Sequence, residues 1–201
     1  MPAFVSNVNL RKRSLKLAAD NPGRRLAGPL AIVAAIAVID QISKLWAVAA
    51  LKNGETLHFI GDFIRLKLVY NMGGALGSNL GGSLFYLLSS IAILVIVFYF
   101  LYIYRHSLVI AWSLAAIAGG AVGNIVDRFR LGKVIDFIDM DFFDISLGGF
   151  AIERWWTYNV ADVAITLGEI ALLIYIIASA RPSAGPKKDR TDTSAKLPEN
   201  R

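Results

Sequence analysis

Four long stretches of the chain are almost entirely apolar, and each has the length of a membrane-spanning helix. The four stretches are residues 27–51, 82–104, 107–126 and 158–180. The middle two contain no charged residue, and the outer two contain only two ionisable residues each. About 20 apolar residues, each rising about 1.5 Å, cross a bilayer core about 30 Å thick. The pattern therefore predicts an all-α integral membrane protein with four transmembrane helices.

A different period appears between the first two spans. Apolar side chains at Ile64, Leu66 and Leu68 alternate with the basic side chains of Arg65 and Lys67. Alternation with a period of two is typical of a half-exposed strand. We therefore expect a small extracytoplasmic β element in the first outer loop, and segment 63–70 is a candidate strand partner for an extended peptide.

The third apolar stretch carries two rows of small residues at intervals of four. One row is Ala115, Gly119 and Gly123, and the other is Ala116, Gly120 and Asn124. Small residues let helices approach closely in lipid, so we interpret the glycines as packing positions. Asn124 continues its row with an amide that must be satisfied inside the bundle. It is expected either to lock helices together or to face a substrate.

Composition supports the membrane assignment and excludes nucleic acid as a partner. The chain has 201 residues, of which 56% are hydrophobic and 18% charged, and its mean hydropathy is +0.55. The net charge of +6 comes from the ends: residues 1–29 hold six Lys/Arg against one acid, and residues 181–201 hold six against three. Basic tails beside membrane spans are attracted to anionic lipid. No nucleic-acid binding is expected.

The distribution of basic residues also predicts the orientation. With both termini in the cytoplasm, the inner side collects thirteen Lys/Arg and the outer loops seven, as the positive-inside rule requires. We expect a basic cytoplasmic tail over residues 1–26, a four-helix domain over 27–180 and a disordered cytoplasmic tail over 181–201. The first span is expected to be retained rather than cleaved, and the protein to be a monomer.

Ionisable residues inside the apolar stretches are costly in lipid and mark candidate sites. Asp40 and Lys44 are spaced i, i+4 on the first span and can form an ion pair. Ser43 beside Lys44 suggests a Ser-Lys nucleophile, but adjacent helical residues point about 100° apart, which argues against it. The chain has no cysteine and two histidines, which the predicted topology places on opposite sides. No metal site, cofactor site or Ser-His-Asp triad is predicted.

The fourth span begins with two polar side chains on one face. Asn159 and Asp162 are spaced i, i+3 near its outer end. A second carboxylate facing Asp162 would have to come from residues 127–144, where five aspartates lie. Two facing carboxyl groups can share a proton and act as general acid and general base toward water. Two alternatives remain: a small proton-coupled transporter subunit with Asp40, Asp162 and Glu169 as a relay, or a non-catalytic assembly factor.

Four blocks of the sequence resemble lipoprotein signal peptidase, also called signal peptidase II. They are DQISKLWA (40–47), VYNMGGALG (69–77), GGAVGNIVDRFRLGKVIDFID (119–139) and YNVADVAITLG (158–168). The resemblance implies an aspartic endopeptidase of the bacterial inner membrane. Such an enzyme removes signal peptides from diacylglyceryl-modified prolipoproteins, cleaving before the lipidated cysteine, with its active site near the outer face.

The resemblance also implies which residues form the site. Asp136 and Asp162 correspond to the catalytic pair, and no metal or cofactor is implied. The residues implied to bind substrate or to support the site are Asn71, Asn124, Arg128, Asn159, Asp40 and Lys44.

The five aspartates of residues 127–144 lie in different sequence settings, which suggest different roles. Asp136 is flanked by apolar residues that can raise its pKa. Asp127 is expected to pair with the adjacent Arg128 or to order the turn. Asp139, Asp141 and Asp144 are expected to form a solvated acidic rim.

Overall fold

The computed structural model describes residues 22–51, 54–73, 82–141, 145–147, 150–152 and 156–180. Four of its elements are long helices: α1 (Pro22–Ala50), α2 (Gly82–Ile103), α3 (Leu108–Leu131) and α4 (Val160–Ser179). All four are long and apolar enough to cross a membrane. Large apolar side chains such as Ile42, Leu84 and Leu108 are 61–72% exposed on their surfaces, as expected for helices that face lipid. The predicted four-helix fold is confirmed.

Helix α3 lies at the centre of the bundle and packs against α1, α2 and α4. The small residues of α3 allow this approach. A β-carbon at Gly119 would press on Ile36 of α1, and one at Gly120 would press on the Ala161 carbonyl of α4. The interpretation of the small-residue rows as packing positions is therefore confirmed.

The C-terminal end of α3 lies beyond the apolar stretch. The predicted span ended at residue 126, before the charged residues Asp127 and Arg128, whereas the helix continues to Leu131. Gly132 ends it in the left-handed conformation, at φ 68°, and its N–H donates to the Arg128 carbonyl. The extra turn carries these charged side chains to the end of the bundle where the site lies.

A four-stranded antiparallel sheet covers that end. Its strands are β1 (Thr56–Ile60), β2 (Ile64–Asn71), β3 (Val134–Met140) and β6 (Thr157–Tyr158), in the order β1-β2-β3-β6. A separate hairpin is formed by β4 (Ile145–Leu147) and β5 (Phe150–Ile152). Phe137 of β3 packs on Ala47 and Leu51 at the end of α1, which seats the sheet on the bundle.

Strand β2 confirms the predicted β element, but its position corrects one expectation. It pairs with β1 along one edge and with β3 along the other. β1 occupies the outer edge of β2 only from Ile64 to Lys67, so the suggestion that segment 63–70 pairs with a peptide is wrong for that part and stays a prediction for residues 68–70. The edge strands are β1 and β6.

Candidate active site

Asp136 lies in β3, opposite Val69 of β2, with its carboxyl group buried at 3% exposure. Two side-chain amides hold the two oxygens. Oδ1 accepts a hydrogen bond from Asn159 Nδ2 at 2.7 Å, and Oδ2 accepts one from Asn71 Nδ2 at 3.2 Å. Because Asn71 ends β2 and Asn159 precedes α4, the carboxyl group is held from both sides.

Asp162 lies in the first turn of α4, where it completes a capping box with Asn159. The Asn159 side chain accepts from the Asp162 N–H at 3.0 Å, and Asp162 Oδ2 accepts from the Asn159 N–H at 3.1 Å. Its other oxygen, Oδ1, accepts from Asn124 Nδ2 at 2.8 Å. The capping geometry fixes this carboxyl group at the end of α4 and aims it at α3.

The two aspartates are linked through two buried amides. Asn159 Nδ2, which donates to Asp136, also lies 3.1 Å from Asn124 Oδ1, and Asn124 donates to Asp162. Asn159 is fully buried and Asn124 is 7% exposed. The structure thus brings together five residues predicted from sequence: Asn71, Asn124, Asp136, Asn159 and Asp162.

The environment of Asp136 favours its protonated form. Burial raises the pKa of its carboxyl group to about 6, and the nearby charge of Asp162 adds to the rise. Hydrogen bonds from Asn71 and Asn159 and the charge of Lys44 oppose the rise without cancelling it. A carboxyl group with a pKa near neutrality can hold or release a proton under physiological conditions.

A cation and a phenol lie within electrostatic range of the carboxyl groups. The Arg128 guanidinium is attracted to both Asp162 and Asp136, and its Nη1 is 3.5 Å from the Asn124 carbonyl oxygen. Burial and the charge of Asp162 raise the pKa of Tyr158, so its hydroxyl group stays protonated. Arg128 is one of the site residues that the family resemblance implies, whereas no sequence motif pointed to Tyr158.

A buried cluster of charges supports the site from the side of α1. Lys44 Nζ lies 2.8 Å from a carboxylate oxygen of Asp40 and 2.8 Å from one of Asp127, and it donates to Asn124 Oδ1 at 2.9 Å. Asp40 Oδ1 in turn accepts from the N–H of Ala161 at 2.9 Å. The predicted Asp40–Lys44 pair is present, and Lys44 contacts the amide that holds Asp162.

These contacts place two neighbouring carboxyl groups near a cation at one end of the bundle. One such group can take a proton from an attacking water molecule while the other gives a proton to the leaving group. No group of three or more His, Asp or Glu suited to a metal ion occurs in the described part of the chain.

A family model described as "Signal peptidase (SPase) II" matches residues 32–178, well over half of the chain. The chain belongs to the signal peptidase II family. Proteins named lipoprotein signal peptidase are similar to it along most of their length. The one from Treponema pallidum is 35% identical over 172 residues, which cover 81% of this chain and 90% of the relative. The one from Borrelia duttonii is 39% identical over 158 residues, covering 75% and 90%.

Solved structures agree with this family membership. Two structures, each described as a bacterial membrane enzyme, match with TM-scores of 0.65 and 0.64 at 25% and 28% identity. Each match covers 79% of this chain, and 94% or 96% of the solved chain. This signal peptidase II family member is therefore a multi-pass bacterial membrane protein and a peptidase, and the comparisons give no support to the transporter alternative.

Within this family member, the role expected for Asp127 needs correction. Its ion pair is with Lys44, not with the adjacent Arg128. Asp127 Oδ2 also accepts from the backbone N–H of Ile135 at 3.1 Å, and Oδ1 accepts from Gln41 Nε2 at 3.0 Å. Asp127 therefore orders the α3–β3 turn, which was the second of the two roles expected for it. Gln41 carried no sequence signal beyond its place beside Asp40.

The expected acidic rim is also wrong for Asp139. This residue lies within β3, is only 3% exposed, and forms an ion pair with Arg65 Nη2 at 2.8 Å. The two residues are directly opposite each other in the β2–β3 register, so the pair clamps the two strands. Asp141 follows the strand and is half-buried, and Asp144 lies outside the described residues.

Two other polar residues of the spans lie apart from the two carboxyl groups. Ser43 Oγ donates to the backbone carbonyl of Asp40 at 2.7 Å, an ordinary contact inside a helix, and this agrees with rejecting the Ser-Lys nucleophile. Glu169 is exposed on the surface of α4.

Proposed function

We propose that this chain is an aspartic endopeptidase that removes signal peptides from prolipoproteins. Its substrates carry a diacylglyceryl-modified cysteine, and the bond broken is the one that precedes this cysteine. The observation that carries the proposal is the buried Asp136–Asn159–Asn124–Asp162 chain of hydrogen bonds. Membership of the signal peptidase II family supports the same substrate class.

In the proposed reaction, Asp162 takes a proton from a water molecule, whose oxygen then attacks the peptide carbonyl carbon. Two N–H donors and the N-terminus of α4 stabilise Asp162 as the ionised base. Asp136, protonated, gives its proton to the cysteine nitrogen as the carbon–nitrogen bond breaks. The Arg128 charge stabilises the negative oxygen of the tetrahedral intermediate.

The activity is tested with the purified full chain and a diacylglyceryl-modified prolipoprotein. We expect release of an intact signal peptide, seen by mass spectrometry, with the new N-terminus at the lipidated cysteine. A matched prolipoprotein without the diacylglyceryl group is the control and should be cleaved poorly. Absence of cleavage of the lipidated substrate by folded protein would refute the proposal.

The pH dependence of cleavage tests the role of Asp136. Since the pKa of Asp136 is about 6, kcat/KM should fall as the pH rises through this region, because the acid loses its proton. The hydrogen bond from Asn71 favours the ionised form. Asn71→Ala should therefore move the fall of kcat/KM to higher pH, independently of its effect on the maximal rate. Lys67→Ala, on the exposed face of the same strand, should not change the pH at which kcat/KM falls. If Asn71→Ala leaves the fall of kcat/KM at the same pH or moves it to lower pH, Asp136 is not the general acid.

We further propose that both termini are cytoplasmic and that the site faces outward, in a chain that acts as a monomer. Thirteen Lys/Arg on the tail side against seven support this orientation, and the hydrogen bonds that link the two aspartates need no residue of a second copy. The chain has no cysteine, so a single cysteine can report on each side. Asp62→Cys, at the exposed β1–β2 turn, should react with a membrane-impermeant maleimide in intact cells, and a cysteine added at the C-terminus should not. The opposite labelling pattern would show that the termini lie outside and the site faces the cytoplasm, contrary to the proposal.

A further inference from the structure

A cavity lies behind the sheet, between the outer parts of α1 and α3. It has a volume of about 280 Å³ and is bordered by Tyr70 of β2 and Ile135 of β3. These two residues face each other in the strand register, and each is adjacent in sequence to a residue of the active site, Asn71 or Asp136. Since successive side chains of a strand point to opposite faces, the cavity and the active site lie on opposite faces of the β2–β3 pair.

Basic side chains form part of the cavity lining. Arg130 and Lys133 line it, together with the buried Lys44–Asp127 ion pair. Arg130 Nη1 lies 3.4 Å from Gln41 Oε1, and Lys133 Nζ lies 3.8 Å above the Tyr70 ring. Among the residues that the structure describes, no carboxylate is within ion-pair distance of either Arg130 or Lys133. The lining therefore has positive charge available to a ligand.

The rest of the lining includes apolar side chains that are also exposed on the surface of the helices. Leu45 and Val48 of α1 and Leu131 of α3 line it, and Leu45 and Leu131 are 59% and 42% exposed. These residues lie where two membrane-spanning helices end beside the sheet. A ligand seated here would contact both cationic and apolar side chains.

We propose that this cavity binds the head group of an anionic glycerophospholipid. The phosphate would lie between Arg130 and Lys133, where guanidinium and ammonium groups are suited to its oxygens. The acyl chains would pass over Leu45 and Leu131 into the bilayer. Basic pockets between transmembrane helices bind lipid head groups in this way. The volume, at the lower end of the usual range for ligand pockets, suits a small head group.

This site has a structural connection to the catalytic centre. Lys44 lines the cavity, and its Nζ also donates to Asn124, the amide that holds Asp162. The binding proposal itself does not depend on the proposed peptidase activity and is tested without substrate.

Native mass spectrometry of the full chain in detergent provides the test. Phosphatidylglycerol is titrated against phosphatidylethanolamine with the same acyl chains, so that the two lipids differ only in the head group, which is anionic in the first and zwitterionic in the second. We expect phosphatidylglycerol to bind at least about tenfold more tightly, and Arg130→Gln/Lys133→Gln to abolish this preference. The charge-preserving pair Arg130→Lys/Lys133→Arg should keep most of it. Lys67→Gln, which removes a cation elsewhere on the sheet, should keep all of it.

Three results would overturn the proposal. They are equal binding of the two lipids, an undiminished preference in the double Gln variant, and complete displacement of phosphatidylglycerol by millimolar inorganic phosphate. The last result would identify a site for soluble anions rather than lipid. Thermal unfolding of each variant in the same detergent verifies that any lost binding does not come from a lost fold.

Discussion

Asp136→Asn is expected to reduce signal-peptide release by about 10²–10⁴-fold, the usual contribution of a general acid or base. The amide has almost the shape of the carboxyl group and can still accept from Asn159, but it cannot donate its proton to the leaving nitrogen. Asp162→Asn should cause a loss of the same order because it removes the base. Release is measured with the lipidated prolipoprotein under conditions that give single turnovers.

The double variant makes this expectation sharper. Residues that act as one unit have non-additive effects, so Asp136→Asn/Asp162→Asn should be little worse than either single variant. Asp141→Asn is the matched control: it removes a carboxylate just beyond β3 and should retain most activity. Normal cleavage by either single dyad variant, with the fold intact by thermal unfolding, would show that the pair is not catalytic.

The sequence predicted the helices well because the bilayer imposes a simple length rule. Each span had to supply about 20 apolar residues with its backbone groups satisfied internally. The same rule gave the wrong end for α3, since Asp127 and Arg128 looked like the start of a loop. In the folded protein Lys44 compensates the Asp127 charge, and the helix continues for a further turn.

Strand β3 shows why part of the sheet could not be predicted. A strand with one wet face alternates in polarity, as β2 does, but β3 is buried over most of its length. Of its two carboxylates, Asp136 was expected in an apolar setting, but Asp139 was expected in a solvated rim. Asp136 is held by the amides of Asn71 and Asn159, and Asp139 by Arg65. All three partners are distant in sequence from β3.

The site itself was predicted in part by motif resemblance and in part by helical spacing. The i, i+4 spacing predicted the Asp40–Lys44 contact, and the i, i+3 spacing placed Asn159 and Asp162 on one side of a helix. Spacing alone could not show that Lys44 has a second carboxylate partner, Asp127 on another helix. That contact depends on the close approach of α1 and α3 at Gly123, where a β-carbon would meet Asp40.

Lys44→Met is expected to lower the free energy of unfolding by about 3–5 kcal/mol, the usual effect of removing one partner from a buried ion pair. The variant retains most of the volume of the side chain but leaves Asp40 and Asp127 without their shared cation. Both carboxylates are at most 1% exposed, so water cannot replace the lost partner. Unfolding of the purified protein by titration with a denaturing detergent measures the loss.

A second substitution separates lost charge compensation from lost packing. Asp127→Asn in the Lys44→Met background removes one of the two unpaired charges, and its amide can still accept from the Ile135 N–H. The double variant should therefore be more stable than Lys44→Met alone, with a coupling energy within about 0.5–3 kcal/mol. Lys67→Met, at an exposed position of β2, should change stability by no more than about 0.5 kcal/mol. If Lys44→Met is as stable as Lys67→Met, the buried cluster does not hold α1 against α3, and the close approach at Gly123 must be maintained by packing alone.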